Sequence, residues 1–189
     1  MATSPPPTRN AAATRDAILR SAIENFARAG YDGVGVRQIA QDAGVTAMLV
    51  NRYFGSKEGL FAEAVETSFA TPVFIGEQSD DLVGDIVKVL VAKSGPHEEA
   101  PQPFLIMVRS ASSPVATAIV RAAIERHVGA RLARQLDSPD RKLRSEILLA
   151  VIGGMLMMRG VVGTRALSKG KAADIARVLE PMIAALVGN

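Results

Sequence analysis

The stretch AGVTAMLVNRYFGSKEGL, Ala43 to Leu60, decides how this chain is read. It is too short and too interrupted for an ordinary amphipathic core helix. One helix ends at Gly44, Thr46 offers an N-cap for a second over Ala47 to Phe54, and Ser56 caps a third that begins at Lys57. Helix, tight glycine turn and second short helix are the helix-turn-helix plan. Val50 and Phe54, four apart, reach one buried edge, while Ala47, Met48, Asn51 and Arg52 fall on another face. That face offers amide, guanidinium and apolar contacts, which suit base edges and thymine methyls in a major groove. The same spacing also fits a three-helix lid with a solvated polar face. Burying Asn51, Arg52 and Tyr53 in a row would demand a partner for each polar group, so display is the more favourable arrangement.

Working outward, Leu19, Ala22, Ile23, Phe26 and Ala27 recur at helical spacing, and Gly30 stops that helix. VRQIAQDA is a short helix ended by Gly44, with Ile39, Ala40 and Val45 packing it on its successor. Pro72 breaks the pattern after the helix from Lys57 to about Thr71. Asp80 and Asp81 suit the N-terminus of a helix over Leu82 to Lys93, and SGPHEEAPQP is a loop. Phe104 to Ala111 is a short helix, and Pro114 allows another, carrying Val120, Ile124, Val128, Leu132 and Leu136 at i+4 spacing. A helix from about Arg141 to Val162 is apolar nearly all round between Ile147 and Met158, and the last one contains Pro181. No strand of adequate length and no repeat appears, so the expected class is all-α, with about nine helices. The expected organisation is a flexible arm over 1–10, a helix-turn-helix domain over 11–56, a connecting helix over 57–71 and a helical domain over 72–189.

Composition narrows the function. The chain has 189 residues, 48% of them hydrophobic but only 4% aromatic, so Ala, Leu, Val, Ile and Met must fill the core, which favours helices. There is no Cys, which removes disulfides and thiolate zinc sites. The N-terminus MATSPPPTRNAAATR lacks the apolar stretch of a secretory signal, and the longest apolar run falls short of the ~18 residues of a membrane span. A soluble cytoplasmic protein with no membrane partner is therefore expected. Net charge is +3, but residues 1–60 carry seven Lys/Arg against five Asp/Glu, while 105–189 carry thirteen against six. Bulk charge thus does not locate a nucleic-acid site, and the motif must do so. His97 lies in an acidic loop and His127 among arginines, and no nucleotide-loop or nucleophile-elbow pattern is present. No catalytic residue, metal site or cofactor is expected.

The segment AILRSAIENFARAGYDGVGVRQIAQDAGVTAMLVNRYFGSKEGLF resembles the N-terminal domain of the tetracycline-repressor family of bacterial transcription regulators. The similarity runs from about Thr14 to Val65 without a gap. Its most specific parts are Phe26 with Gly30-Tyr31, Ile39-Ala40 with Ala43-Gly44-Val45, and Tyr53-Phe54 with Ser56-Lys57-Glu58 and Leu60. The resemblance implies a homodimer that binds double-stranded operator DNA and whose C-terminal helical domain binds a small molecule. By position it implies that Arg37 reaches DNA, that Ala47, Met48, Leu49, Asn51, Arg52 and Tyr53 form the recognition surface beside Thr46, and that Lys57 meets a phosphate. Relatives often carry Ser or Thr where Gly35 stands and Tyr where Asn51 stands, so a capping hydroxyl is missing and the operator cannot be borrowed.

Two further sets follow. A helix apolar on every side must be covered on every side, either by a dimer partner or as a central helix of one subunit. Leaning on the family, Leu148, Ile152, Met155, Ile175, Leu179 and Met182 are expected at a dimer interface. Phe69, Phe74, Leu90, Phe104, Met107 and Ile119, with Arg109 as polar anchor, are the candidate lining for an apolar or amphipathic effector, although each could simply fill the core. The expected mechanism has the effector shift the helix from Lys57 to Thr71 and so change the separation of two recognition helices. The rival readings are a helical small-molecule carrier without DNA binding and a peripheral membrane protein using the apolar helix near Met155.

Overall fold

The computed structural model describes residues 7–73, 76, 78–95 and 98–188, with side chains from residue 11 onward. Phe74 and His97 lie outside the described residues. Every regular element among the described residues is helical: α1 (Pro7–Ala29), α2 (Val36–Asp42), α3 (Ala47–Phe54), α4 (Lys57–Ala70), α5 (Leu82–Lys93), α6 (Gln102–Ser110), α7 (Pro114–Ala123), α8 (Ala130–Gln135), α9 (Arg141–Met155), α10 (Arg165–Lys169) and α11 (Ala172–Val187). A π-helical turn, Ile124–Gly129, joins α7 to α8, and another, Leu156–Val161, extends α9. Helix α1 starts at Pro7, so the last four residues of the expected arm over 1–10 are helical. Proline is tolerated there because the first-turn N–H groups have no intrahelical acceptor to lose.

The chain divides into two compact units, Met1–Ser68 with Leu105–Arg121, and Phe69–Phe104 with Ala122–Asn189. In the first, Ile18, Ala22 and Phe26 of α1, Ile39 and Ala40 of α2, Val50 and Phe54 of α3, and Leu60, Phe61, Ala64 and Val65 of α4 close one core. The ring of Phe61 meets Phe26 and Tyr31 edge-on, both at 4.9 Å between centroids. Such geometry adds about 0.5–1.5 kcal/mol per pair to the burial itself. Residues 105–121, expected in the second domain, belong here because the end of α6 is fastened to the end of α1. Tyr31 N–H donates to Ser110 Oγ at 3.0 Å, and the Arg109 guanidinium donates to the Ala27 carbonyl. Gly30, at φ 73°, makes this possible: a Cβ there would stand 2.1 Å from the Arg109 carbonyl oxygen.

In the second unit α11 packs on α5 and α9. Leu82, Ile86, Val87 and Leu90 of α5, Leu148 and Ile152 of α9, and Ile175, Leu179, Ile183 and Val187 of α11 are buried within the chain. Four residues expected at a dimer interface, Leu148, Ile152, Ile175 and Leu179, are therefore already covered by this unit's own core. Met155 is half-buried and Met182 is exposed. The all-round apolar helix has two faces, and the one turned outward carries Leu143, Ile147, Met158 and Val161, with Val178 and Met182 exposed on α11.

A polar lock fixes α2 on α1. Asn25, itself buried, donates to Asp42 Oδ2 at 2.8 Å and to the Ser21 carbonyl at 2.9 Å, while Gln38 donates to Asp42 Oδ1 at 2.8 Å. The bond from Asn25, then that from Gln38, with Arg28 nearby, holds the Asp42 carboxyl below its ordinary value of 3.8. A carboxylate with a depressed folded-state pKa stabilises the fold above its unfolded value, and that contribution disappears as pH falls through the folded value. Asp42→Asn should therefore destabilise the protein at neutral pH, and its urea midpoint should converge on wild type as pH drops below 3.8. A gap that stays constant down to pH values well below that would show that Asp42 does not act through its charge.

Candidate nucleic-acid interface

The helix-turn-helix is assembled from α2, a glycine turn and α3. Gly44, at φ 70°, donates to the Gln41 carbonyl at 3.0 Å, and Val45 N–H reaches the Ala40 carbonyl at 2.9 Å, a left-handed turn that suits glycine. Thr46 Oγ1 then accepts from Leu49 N–H at 3.3 Å and starts α3. Gly55 N–H closes the other end on the Asn51 carbonyl at 2.8 Å, and Ser56 Oγ caps α4 through Gly59 N–H at 3.0 Å. Gly35 precedes α2 without a side-chain cap, as the missing hydroxyl requires.

This frame buries Val50 and Phe54 and turns the rest of α3 outward. Met48 is 80% exposed, an unusual state for a large apolar side chain, and Thr46, Asn51 and Arg52 are exposed beside it. Ala47, Leu49 and Tyr53 are half-buried. Arg37 is exposed on α2. The side chains of Arg37, Asn51 and Arg52 make no hydrogen bond or ion pair with the described residues, so their donors are available to an external acceptor. Each expected recognition residue thus belongs to one helix-turn-helix, with its exposed members on the outer side.

Lys57 is placed differently from a bare phosphate contact. Its ammonium lies 4.6 Å from the centroid of the Tyr31 ring, a cation–π contact at the start of α4. Burial first, then the Glu58 and Asp32 carboxylates, push the Tyr31 phenol above its usual value, so it stays a neutral O–H donor. The Lys57–Tyr31 pair was not legible in the sequence, because the two residues meet only through the α1–α4 aromatic cluster. On the opposite side Arg15 ion-pairs with Glu63 and lies 5.1 Å from the Phe54 ring centroid, tying α1 to α3 and α4.

The candidate effector lining is divided between the units: Phe69, Leu90 and Phe104 belong to the second, while Met107, Arg109 and Ile119 belong to the first. Arg109, expected as a polar anchor for a ligand, donates from one guanidinium nitrogen to the Ala27 carbonyl. Among the described residues no His/Cys/Asp/Glu group has a metal-holding arrangement, and no helix is long and apolar enough to cross a membrane.

A helix-turn-helix followed by an all-α unit defines the class, and comparison with known proteins defines the family. The family description "Bacterial regulatory proteins, tetR family" matches residues 18–64, and "Tetracyclin repressor-like, C-terminal domain" matches residues 80–187. The chain belongs to the tetR family of helix-turn-helix transcription regulators. It is 57% identical over 53 residues to the HTH-type transcriptional regulatory protein RaaS of Mycobacterium tuberculosis, a match covering 28% of this chain and 24% of that protein. The chain therefore spans about a quarter of the length of that curated relative. Over their full lengths, it is 26% identical to a TetR-family regulator from Streptomyces coelicolor, with a TM-score of 0.58. The multidrug binding protein EbrR, solved in complex with proflavin, shares the fold at 19% identity and a TM-score of 0.58, covering 92% of this chain and 99% of that one.

Asn51 and Lys57 should be separable in DNA binding. An amide pairs with adenine in the major groove, so Asn51→Ala should cost about 1–3 kcal/mol on the operator and little on a scrambled duplex. Lys57→Ala should weaken both duplexes alike and reduce the salt dependence by roughly one ion per subunit. Titrations at several salt concentrations read both effects. Equal losses on the two duplexes for Asn51→Ala would make it a backbone contact, and an unchanged salt slope for Lys57→Ala would leave Lys57 as a partner of Tyr31 alone.

Proposed function

We propose that this regulator is a repressor that binds a palindromic operator as a homodimer in the cytoplasm and releases it when an apolar or amphipathic small molecule binds the C-terminal unit. The observation that carries the DNA reading is the outward row of Met48, Asn51 and Arg52 on a helix pinned from behind by Val50 and Phe54. A symmetric dimer would hold two such helices about 34–36 Å apart, one turn of DNA, so that both enter successive major grooves. Release requires the effector to favour a conformation in which that spacing differs, since a ligand with equal affinity for both states shifts nothing. A displacement of α4 would reach α1 through the Phe26–Tyr31–Phe61 cluster, and the recognition helix through Arg15, which pairs with Glu63 of α4 and lies over the Phe54 ring of α3. The complex of EbrR with proflavin is in keeping with a small-molecule effector, and an aliphatic, Met-containing C-terminal unit supports an apolar or amphipathic one.

The DNA reading is tested by a gel shift on the DNA upstream of the protein's own gene, followed over salt concentration. Sequence-selective, salt-sensitive retardation is expected. A helical carrier would show no salt-dependent binding to any duplex.

The exposed apolar side chains of α9 and α11, above all Val178 at 56% and Met182 at 49% exposure, support a dimer contact through groups that the single chain leaves uncovered. The double variant Val178→Asp, Met182→Asp should give a helical monomer, because both positions are outside the chain's own core. Leu179→Asp, one residue away but buried, should unfold the unit instead. Light scattering and far-ultraviolet dichroism distinguish these outcomes. A wild-type protein that is monomeric at micromolar concentration would overturn the dimer.

A further inference from the structure

Arg159 is an anomaly in the second unit. It interrupts the apolar run at the end of α9, lies in the π-helical segment Leu156–Val161, and is only 5% exposed. A buried cation normally has a carboxylate opposite it. Arg159 has none among the described residues. Its Nε donates to the Leu167 carbonyl at 3.1 Å, and its Nη1 donates to the Val91 carbonyl at 2.7 Å and to Ser94 Oγ at 3.2 Å. These acceptors are neutral, and the negative end of the α5 dipole offsets only part of the charge. Nη2 makes no hydrogen bond to the described residues.

Close by in the chain is a buried polar atom without a partner, the hydroxyl of Ser168, which follows the carbonyl that Arg159 holds. It faces the turn at Gly163, where a Cβ would lie 3.7 Å from Ser168 Oγ. The surrounding segment, residues 159–171, contains Arg159, Arg165, Lys169 and Lys171 and no acidic residue. Glu98 and Glu99, the carboxylates that follow Ser94 in the chain, are exposed and pair with neither Arg159 nor Ser168. A guanidinium that meets only neutral acceptors, and an unpaired hydroxyl one residue beyond the Leu167 carbonyl it holds, stand in a segment rich in cations, an environment that favours an anion.

We propose that the corner between the end of α5, the π-helical segment and α10 binds the carboxylate of a ligand, with Arg159 Nη2 and Ser168 Oγ as its donors. Two donors and one charge match the two oxygens and single charge of a carboxylate. A phosphate dianion would be left short of both. The inference rests on the reading that this unit takes a small-molecule effector, and it narrows that effector to an acid.

The test is calorimetric titration of the full-length protein with octanoate, with acetate, and with octanol as the uncharged counterpart. Octanoate should bind at least about tenfold more tightly than octanol, the range expected of a hydrogen bond to a charged group. Acetate as tight as octanoate would assign a free small carboxylate, and weaker acetate would assign an amphipathic acid; both support the site. Ser168→Ala should weaken octanoate several-fold while leaving the melting temperature of the free protein unchanged, because its hydroxyl has no partner to lose. Arg159→Met should erase the preference for acid over alcohol. Should that variant not fold, Ser168→Ala decides alone. Equal affinity for octanoate and octanol, or octanoate binding untouched by Ser168→Ala, would overturn the carboxylate site. Binding of octanol with no binding of either acid would overturn it too, while leaving the apolar-effector reading in place.

Discussion

At Gly30 the backbone of α1's end comes so close to the Arg109 carbonyl that no other residue fits, and the DNA-binding unit is organised around that contact. The approach lets the Tyr31 amide bond Ser110 and the Arg109 guanidinium bond Ala27, so the end of α6 is fixed on the end of α1. Tyr31 then has one place to go. Its ring meets Phe61 edge-on and receives the Lys57 ammonium on its face, which orients the first turn of α4. Helices α2 and α3 are set against the same α1 by Ser21, Asn25 and Asp42 on one side and by Arg15 and Phe54 on the other. The orientation of the recognition helix is therefore a consequence of contacts made at both ends of α1.

The division of labour on α3 follows from one helical repeat. Residues four apart share an edge, so Val50 and Phe54 go inward together and Met48, Asn51 and Arg52 are left outside. An exposed methionine is unfavourable for a solitary helix, yet it is well suited to thymine methyls, and the neighbouring amide and guanidinium supply directional contacts to base edges. Phosphate contacts add affinity without sequence preference, and the base-facing side chains add the preference.

Much of this was legible from local chemistry. Gly44, Thr46 and Ser56 announce a turn and two caps, and the structure forms all three with the expected hydrogen bonds. The membership of residues 105–121 in the DNA-binding unit was not legible, because the contact between Gly30 and Arg109 spans distant parts of the chain and leaves no periodic trace. Which apolar residues the single chain covers is not legible either, for a related reason. A helix apolar on all sides carries two equivalent-looking stripes, and only the placement of α5 and α11 shows that Leu148 and Ile152 face inward while Ile147 and Met158 do not. Arg159 was hidden in the same run: a single cation at the end of an apolar stretch looks like a helix terminus until its burial is known.

The central claim, that the outward face of α3 is the surface that meets DNA, is tested most directly by methyl resonances. The chain has seven methionines, and Met48 is the one exposed on that face. With methyl-labelled methionine, a saturating operator duplex should shift and broaden the Met48 signal, assigned by its loss in Met48→Leu, while the Met182 signal on α11 stays in place. A Met48 resonance unmoved by a duplex that is demonstrably bound would contradict the account.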